Sequence, residues 1–160
     1  EGRTFKGCLY FGLMITKDGP KVIEYNSRFG DPETQVVLPL LEGDLFEIMQ
    51  ATTEGTLDRV DFSFADKWAC CLVAASKGYP VSYEKGFEIT LPEEHDNIFI
   101  AGSRLEDGVQ RTSGGRVLGV TEVADTLQEA VDKAYATMKT VHFDNMYYRK
   151  DIGAKALEVK

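Results

Sequence analysis

The sequence predicts an α+β chain, in which a β-hairpin and two helices precede a small, mostly antiparallel sheet or barrel crossed by one helix. Two patterns indicate this class. Short apolar runs bounded by Gly, Pro and Asp are typical of strands, and one later stretch repeats apolar residues every three to four positions, as a helix does. The chain becomes strand-rich near Asp61, so we expect one unit over 1–60 and another over 61–160.

The predicted hairpin occupies the start of the chain. From Gly7 to Ile15 the run GCLYFGLMI is almost entirely apolar, and the run KVIEYNSR follows a turn signal, KDGP, at 17–20. Two strand-like runs separated by a short turn that contains Gly and Pro are typical of antiparallel pairing. We therefore expect the two runs to pair with each other.

Two helices are expected after the hairpin. The run DPETQVVLPLLEG offers Asp31 as an N-cap, Pro32 as the first helical residue and Gly43 as a stop. Asp44 then caps a second helix. The polar stretch 52–61 has no apolar periodicity, which makes it the best candidate for a linker between the units.

The second unit contains four strand-like runs and one helix. The runs are WACCLVAAS, GFEITL, NIFIAGS and GGRVLGVTEV, separated by Gly, Pro and Asp turns. Thr126 and Glu129 form a capping box, and an apolar face extends from Leu127 to Val141. We expect this helix to lie across the sheet and to cover one of its faces.

The composition argues against several function classes. There are 26 acidic side chains against 18 basic ones, a formal net charge of -8 and a pI near 4.8. Nucleic-acid backbones and anionic membranes are bound through clustered Lys and Arg, so we expect neither as a partner. No apolar stretch approaches the roughly 20 residues that span a bilayer, and no signal-peptide pattern opens the chain. A cytoplasmic location is therefore expected.

Two further predictions concern the cysteines and the start of the chain. Cys8, Cys70 and Cys71 lie in apolar runs without CxxC spacing, so we expect reduced core residues rather than disulfides or metal ligands. There is no initiator Met, and a strand-like pattern begins almost at once. We expect the chain to be a piece of a longer polypeptide.

Three polar residues alternate along the second strand of the predicted hairpin. Successive side chains of a strand point to opposite faces, so Glu24, Asn26 and Arg28 are expected to share one face. Neighbours on that face are about 7 Å apart, which lets a carboxylate and a carboxamide oxygen converge on one hard cation or a close pair of cations. Mg²⁺ prefers such oxygens, and Arg28 could neutralise phosphate charge beside it.

The residues after this strand strengthen a functional interpretation. The run Phe29-Gly30-Asp31-Pro32-Glu33 leads into a predicted helix N-terminus, where backbone amides favour anions. A cation site beside an anion site suggests phosphoryl chemistry. The structural alternatives are a solvated polar strand face for Glu24 and Asn26, and a plain helix N-cap for Asp31.

The string VIEYNSRFGDPETQ resembles the end of the ATP-grasp domain of the phosphoribosylamine–glycine ligase family, also called glycinamide ribonucleotide synthetases. The preceding run GCLYFGLMITKDGPKVIEYN resembles the hairpin of that family. KGYP, GGRVLGVT, the helix through Ala134 and Tyr135, and YRKDIG resemble its carboxy-terminal domain. The resemblance covers almost the whole chain, and EYNSRFGDPETQ is its most specific string.

The resemblance implies an ATP-dependent ligase of purine synthesis. Such an enzyme joins glycine to 5-phosphoribosylamine through glycyl phosphate and requires Mg²⁺ or Mn²⁺. By position, Glu24 and Asn26 match the metal ligands of the family, and Arg28 matches an arginine beside the transferring phosphate. Gly30 and Asp31 match a turn near the glycine pocket, where a carboxylate could pair with the amino group.

Some parts of the family pattern do not occur in this chain. Neither the amino-terminal domain of the family nor its adenine-binding segment and glycine-rich phosphate loop precede Glu24. We therefore expect the chain to be inactive without the amino-terminal part of the enzyme. Two other interpretations stay open: a non-catalytic scaffold or interaction module, and a different ATP-grasp ligase of nucleotide synthesis, which FGDPETQ disfavours.

A second candidate binding site lies in the strand-rich unit. Gly114 and Gly115 could form a backbone nest for a sugar phosphate, with Arg116 supplying a positive charge. Paired glycines before an apolar run are more often a hairpin turn or a bulge. The sequence leaves both interpretations open.

Overall fold

The computed structural model describes residues 2–158. It divides into two compact units, the first made of Glu1–Thr34 and Leu41–Ala65 and the second of Gln35–Leu40 and Asp66–Lys160. The assignment of 1–60 to the end of an ATP-grasp domain and of 61–160 to a carboxy-terminal domain stays a prediction. The described part of the chain contains no helix that is both long enough and apolar enough to cross a bilayer.

The hairpin forms as predicted. Strand β1 (Tyr10–Thr16) pairs antiparallel with β2 (Gly19–Asn26). The register shifts by one residue between Gly12 and Leu13, which is a β-bulge. Beyond the bulge, Gly12 lies opposite Glu24 and Tyr10 lies opposite Asn26. The bulge therefore decides which side chains meet at the open end of the hairpin.

The helix expected at Asp31 begins later and is shorter. Helix α1 (Thr34–Val37) is one turn long, and a 3-10 turn, Leu38–Leu40, follows it. The residues at 31–33 form a turn. A hydrogen bond from the amide of Thr34 to the carbonyl of Gly30, at 3.1 Å, stabilises this turn. Asp31 is thus not the N-cap residue, and Pro32 is not the first residue of the helix.

The remainder of the first unit is a short strand pair around a helix. Asp44 caps the helix as predicted, since its carboxylate accepts hydrogen bonds from the amides of Phe46 and Glu47 at 2.8 and 3.2 Å. The predicted linker at 52–61 contains the end of this helix and a 3-10 turn. The elements are β3 (Leu41–Glu42), α2 (Leu45–Glu54), the 3-10 turn Leu57–Arg59 and β4 (Ser63–Phe64), and β3 pairs with β4.

Besides residues 35–40, the second unit contains six strands and two helices within the described range 66–158. These are β5 (Trp68–Ser76), β6 (Ile98–Ile100), β7 (Ser103–Glu106), β8 (Val109–Thr112), β9 (Arg116–Ala124), α3 (Leu127–Met138), β10 (Met146–Tyr147) and α4 (Ala154–Glu158). Four strands form an antiparallel sheet in the order β10-β5-β9-β6, and β7 and β8 form a separate hairpin. The run GFEITL was expected to be a strand but makes only two isolated bridges, Glu88 with Arg111 and Thr90 with His142.

The core of the second unit lies between the sheet and α3. Alternate residues of β5 are buried, as the strand period requires, and α3 contributes Ala130, Val131, Ala134 and Met138. The Thr126 hydroxyl caps α3 by accepting a hydrogen bond from the amide of Glu129 at 3.2 Å. The helix ends at Met138, before the predicted Val141. The prediction of a mostly antiparallel sheet covered by one helix is confirmed.

Candidate functional site

Glu24 and Asn26 lie at the end of β2 and point to the same face. Asn26 Nδ2 donates a hydrogen bond to Glu24 Oε1 at 3.1 Å. Gly12, opposite Glu24 in the register, leaves room for this carboxylate, because a Cβ at position 12 would come within 2.9 Å of Glu24 Cγ. Glu24 is exposed and Asn26 is half-buried. The pair therefore lies at the open end of the hairpin, with the Glu24 carboxylate exposed to solvent.

Arg28 does not continue the strand. β2 ends at Asn26, and residues 27 and 28 form a bend. The Arg28 guanidinium donates a hydrogen bond through Nη1 to the carbonyl of Phe29 at 2.7 Å. Strand alternation therefore does not decide where this side chain points, although Arg28 follows the Glu24 and Asn26 pair closely along the chain.

The turn after Arg28 is closely packed around Gly30. Gly30 is buried, Asp31 is exposed and Glu33 is half-buried. A Cβ at position 30 would overlap the carboxylate of Glu33, so a larger residue there would displace the end of the Glu33 side chain. The Thr34 hydroxyl and amide both donate to the carbonyl of Gly30. Gly30 is thus held between the side chain of Glu33 and the backbone of Thr34.

Tyr10 lies near the carboxylates of this region. The register places it opposite Asn26. Partial burial raises the pKa of Tyr10, and the neighbouring carboxylates of Glu33 and Glu24 raise it further. Neither Tyr10 nor Glu33 was predicted from the sequence. Only the cross-strand register could have indicated Tyr10, and that register depends on the bulge.

The oxygens of Glu24 and Asn26 suit a hard divalent cation. Within 2–158 there is no group of three or more His, Cys, Asp or Glu side chains arranged to hold a metal. One carboxylate and one carboxamide are nevertheless a set that Mg²⁺ accepts, since this ion completes its shell with waters and substrate phosphates. The exposure of Glu24 leaves space for such ligands. The two residues therefore fit the expected metal.

The glycine pair of the second unit has a structural explanation. The amides of Ser113 and Gly114 donate to the carbonyl of Gly102 at 2.8 and 2.9 Å. A Cβ at Gly114 would approach the Cα of Gly102 to 2.9 Å, and a Cβ at Gly115 would overlap the ring of Tyr79. Close approach thus accounts for both glycines. Phosphate binding by Gly114, Gly115 and Arg116 stays a prediction.

Comparison with known protein families first defines the class. The family model described as "Phosphoribosylglycinamide synthetase, ATP-grasp (A) domain" matches residues 1–34, which include the hairpin and the Gly30 turn. The model described as "Phosphoribosylglycinamide synthetase, C domain" matches residues 69–155. The chain therefore belongs to the phosphoribosylglycinamide synthetase family, whose first matched domain is of the ATP-grasp class.

Individual relatives agree with this assignment. The phosphoribosylamine–glycine ligase of Caldanaerobacter subterraneus is 52% identical over 156 residues, which are 96% of this chain and 37% of that protein. A bifunctional purine biosynthetic protein of Pichia angusta is 52% identical over 165 residues, covering 100% of this chain and 21% of that protein. The crystal structure of phosphoribosylamine–glycine ligase from Thermotoga maritima is similar to 90% of this chain, with a TM-score of 0.79 and 41% identity, and the match covers 36% of that structure. The chain thus spans between 21% and 37% of the length of these relatives.

Proposed function

We propose that this chain is the carboxy-terminal part of an ATP-dependent ligase that joins glycine to 5-phosphoribosylamine. The observation that carries the proposal is the Glu24 and Asn26 pair, because its two side chains converge within a segment that matches an ATP-grasp domain. The partners are ATP, glycine, 5-phosphoribosylamine and the amino-terminal part of the same enzyme. The relatives named as phosphoribosylamine–glycine ligases support this assignment.

The reaction has two steps. An oxygen of the glycine carboxylate attacks the terminal phosphorus of ATP, and the bond from that phosphorus to the bridging oxygen breaks, which yields glycyl phosphate and ADP. The amine of 5-phosphoribosylamine then attacks the carbonyl carbon, phosphate leaves with its bridging oxygen, and the nitrogen loses a proton to give the amide. Activation is needed because a free carboxylate has no adequate leaving group.

The residues of the first unit have distinct roles in this proposal. Glu24 and Asn26 would hold Mg²⁺ or Mn²⁺, which when bound neutralises charge on the phosphates. Arg28 stabilises the negative charge that spreads over the transferred phosphoryl group. Gly30 and Asp31 border the glycine pocket, where the Asp31 carboxylate pairs with the amino group of glycine. That pairing keeps the amine protonated, so only the glycine carboxylate reacts.

A chimeric enzyme tests the proposal. This chain would replace the matched carboxy-terminal part of the Caldanaerobacter ligase, and release of phosphate from ATP would be measured with and without each substrate. We expect release that requires both glycine and 5-phosphoribosylamine. The chain alone should show none, because positioning of the substrates by the remaining domains supplies much of the rate.

The matched control is the Caldanaerobacter ligase cut and rejoined at the same point. If this control is active and the chimera is folded but inactive, the ligase assignment is wrong, and a non-catalytic module becomes the better interpretation.

A further inference from the structure

A cavity of about 360 Å³ lies in the second unit, at the edge of the main sheet. Strand β6 pairs with β9 only as far as Val120, and β9 continues beyond it to Ala124. The walls of the cavity come from residues 121–123 of β9, from Phe99 of β6, from the loop before β6 and from Pro39. The cavity therefore lies where one edge of β9 is no longer covered by β6.

The ionisable groups of this cavity are acidic. Asp96 and Glu122 line it, and its described lining residues include no Lys, Arg or His. A second cavity, of about 540 Å³, shares Asp96 and adds Glu93 and Glu94. His95 also lines the second cavity, but its ring Nδ1 lies against backbone carbonyls of its own loop. The adjoining cavities thus favour a ligand that carries positive charge at more than one point.

Hydrogen bonds fix the carboxylate of Glu122 in place. Its Oε1 accepts hydrogen bonds from Asn97 Nδ2 and from Thr137 Oγ1, both at 2.5 Å. Both donors are neutral groups, so they orient the carboxylate without cancelling its charge. A cationic ligand would therefore meet a negative group that is already held in one orientation.

Thr121 adds a buried polar atom that lacks a partner. It lines the first cavity and is only 4% exposed, yet among the described residues nothing is hydrogen-bonded to its Oγ1. Most buried hydroxyls in proteins are hydrogen-bonded, so this one indicates a bound group that supplies the missing partner. An ammonium group offers three N–H donors, and a threonine hydroxyl can accept one of them.

The shape of the site indicates an elongated ligand with an apolar stem. Thr121 and Glu122 are successive strand residues and point to opposite faces of the sheet, so a ligand that reaches both must cross the open edge of β9. Pro39, Phe99 and Val123 give the cavity an apolar wall. Methylene groups gain free energy by leaving water against such a wall, whereas a hydrated metal ion does not.

We propose that the two cavities bind a linear aliphatic polyamine. Its cationic nitrogens pair with the carboxylates of Glu122 and Asp96, one N–H donates to the hydroxyl of Thr121, and its methylene stem packs against Phe99. The site belongs to the second unit, whereas Glu24 and Asn26 belong to the first. A failure to bind polyamine would therefore leave the ligase assignment unchanged.

Calorimetric titration of this chain with spermidine, at fixed ionic strength, tests the proposal. Glu122→Gln removes the charge but keeps an oxygen that accepts from Asn97 and Thr137. The matched control is Glu84→Gln, which removes the same charge from an exposed residue of the second unit that lines neither cavity. We expect Glu122→Gln to weaken spermidine binding by about tenfold or more, and Glu84→Gln to leave it nearly unchanged.

Two further variants make the test independent of the folding of Glu122→Gln. Thr121→Val removes the hydroxyl and keeps the shape of the side chain, so it should weaken binding by about three- to tenfold without lowering the melting temperature. Asp96→Asn changes an exposed loop residue and should also weaken binding. Amide chemical shifts of Thr121 and Phe99 should move as spermidine is added.

Several results would overturn the proposal. The first is the absence of binding at millimolar spermidine. Another is equal weakening by Glu84→Gln and Glu122→Gln, which would mean general attraction to an acidic chain. Unchanged affinity in both Thr121→Val and Asp96→Asn would place spermidine elsewhere. Displacement of spermidine by an equal concentration of Mg²⁺ would identify a divalent-cation site and contradict the assignment to amines.

Discussion

In the second unit fifteen hydrophobic residues form one buried cluster, whereas in the described part of the first unit only Gly30 and Ala51 are buried. The hairpin exposes neighbouring apolar residues on both of its faces. Met14 is 54% exposed and Ile15 is 77% exposed, although successive strand residues point in opposite directions. The second unit thus builds its own core, and the hairpin does not.

This difference shows where the stability of the chain comes from. A two-stranded hairpin alone is marginally stable in water and needs further strands or a helix against its apolar face. Under the proposed function, the hairpin is part of an ATP-grasp domain, and residues 1–34 are the part of this chain that matches that domain. Its exposed apolar residues are then surface that the rest of that domain covers.

Truncation of a core side chain gives the largest contrast between the units. Phe143→Ala should lower the free energy of unfolding by about 3–5 kcal/mol, because Phe143 is only 1% exposed and its loss leaves a cavity. Phe46→Ala in α2 should change it by less than about 0.5 kcal/mol, since Phe46 is 76% exposed. Urea unfolding followed by fluorescence of the single Trp, Trp68, measures the change in the second unit, and amide hydrogen exchange within α2 measures the change in the first unit. Similar losses for both variants would contradict the contrast.

The cysteines allow a test of burial by reactivity. Burial and, to a smaller degree, the neighbouring Cys71 raise the pKa of Cys70 to about 11, whereas Cys8 in the first unit is half-buried. The thiolate is the reactive form, so at about pH 8 Cys70 should react with iodoacetamide roughly a hundredfold more slowly than an ordinary thiol. Its rate should rise about tenfold per pH unit until the pH reaches the pKa.

Mass spectrometry of the labelled peptides identifies which cysteine has reacted. In denaturing urea all three cysteines should react at similar rates, which controls for sequence effects. Labelling of folded Cys70 as fast as Cys8 would show that the core of the second unit is more open than described.

The helix caps give a smaller effect. Thr126→Ala removes the cap of α3 and should cost about 1 kcal/mol in the Trp68 unfolding transition. Asp44→Ala removes two hydrogen bonds at the start of α2, yet it should leave that transition in place and increase amide exchange within α2. A shift of the Trp68 transition by Asp44→Ala would mean that the two units unfold together.

Local patterns were enough to predict the main elements of the fold. The turn at 17–20 defines the hairpin, the capping box defines the start of α3, and β5 and β9 are clear apolar runs. The pairings that were missed join residues distant in sequence, such as Leu41 with Phe64 and Met146 with Ser76. Strands of two residues are too short to show a periodicity in the sequence. Tertiary context therefore decides whether they form.

Local sequence patterns also predicted only part of the candidate site. Strand alternation correctly placed Glu24 and Asn26 on one face, but it could not place Arg28, because the strand ends two residues earlier. The position of Tyr10 opposite Asn26 depends on the one-residue register shift between Gly12 and Leu13, and the position of Glu33 depends on the turn around Gly30. Neither feature has a local signal strong enough to fix a cross-strand register.

The Mg²⁺ dependence of turnover in the chimera tests the central claim most directly, with Glu24→Gln as the variant. Gln keeps the volume and one oxygen of Glu24 but removes the charge that attracts Mg²⁺. We expect turnover to fall strongly and to need much more Mg²⁺, while the melting temperature stays nearly unchanged because Glu24 is exposed. Asn26→Ala should raise the Mg²⁺ requirement in the same direction. Near-normal turnover of both variants at low Mg²⁺ would contradict the metal site and, with it, the main physical support for the proposed ligase.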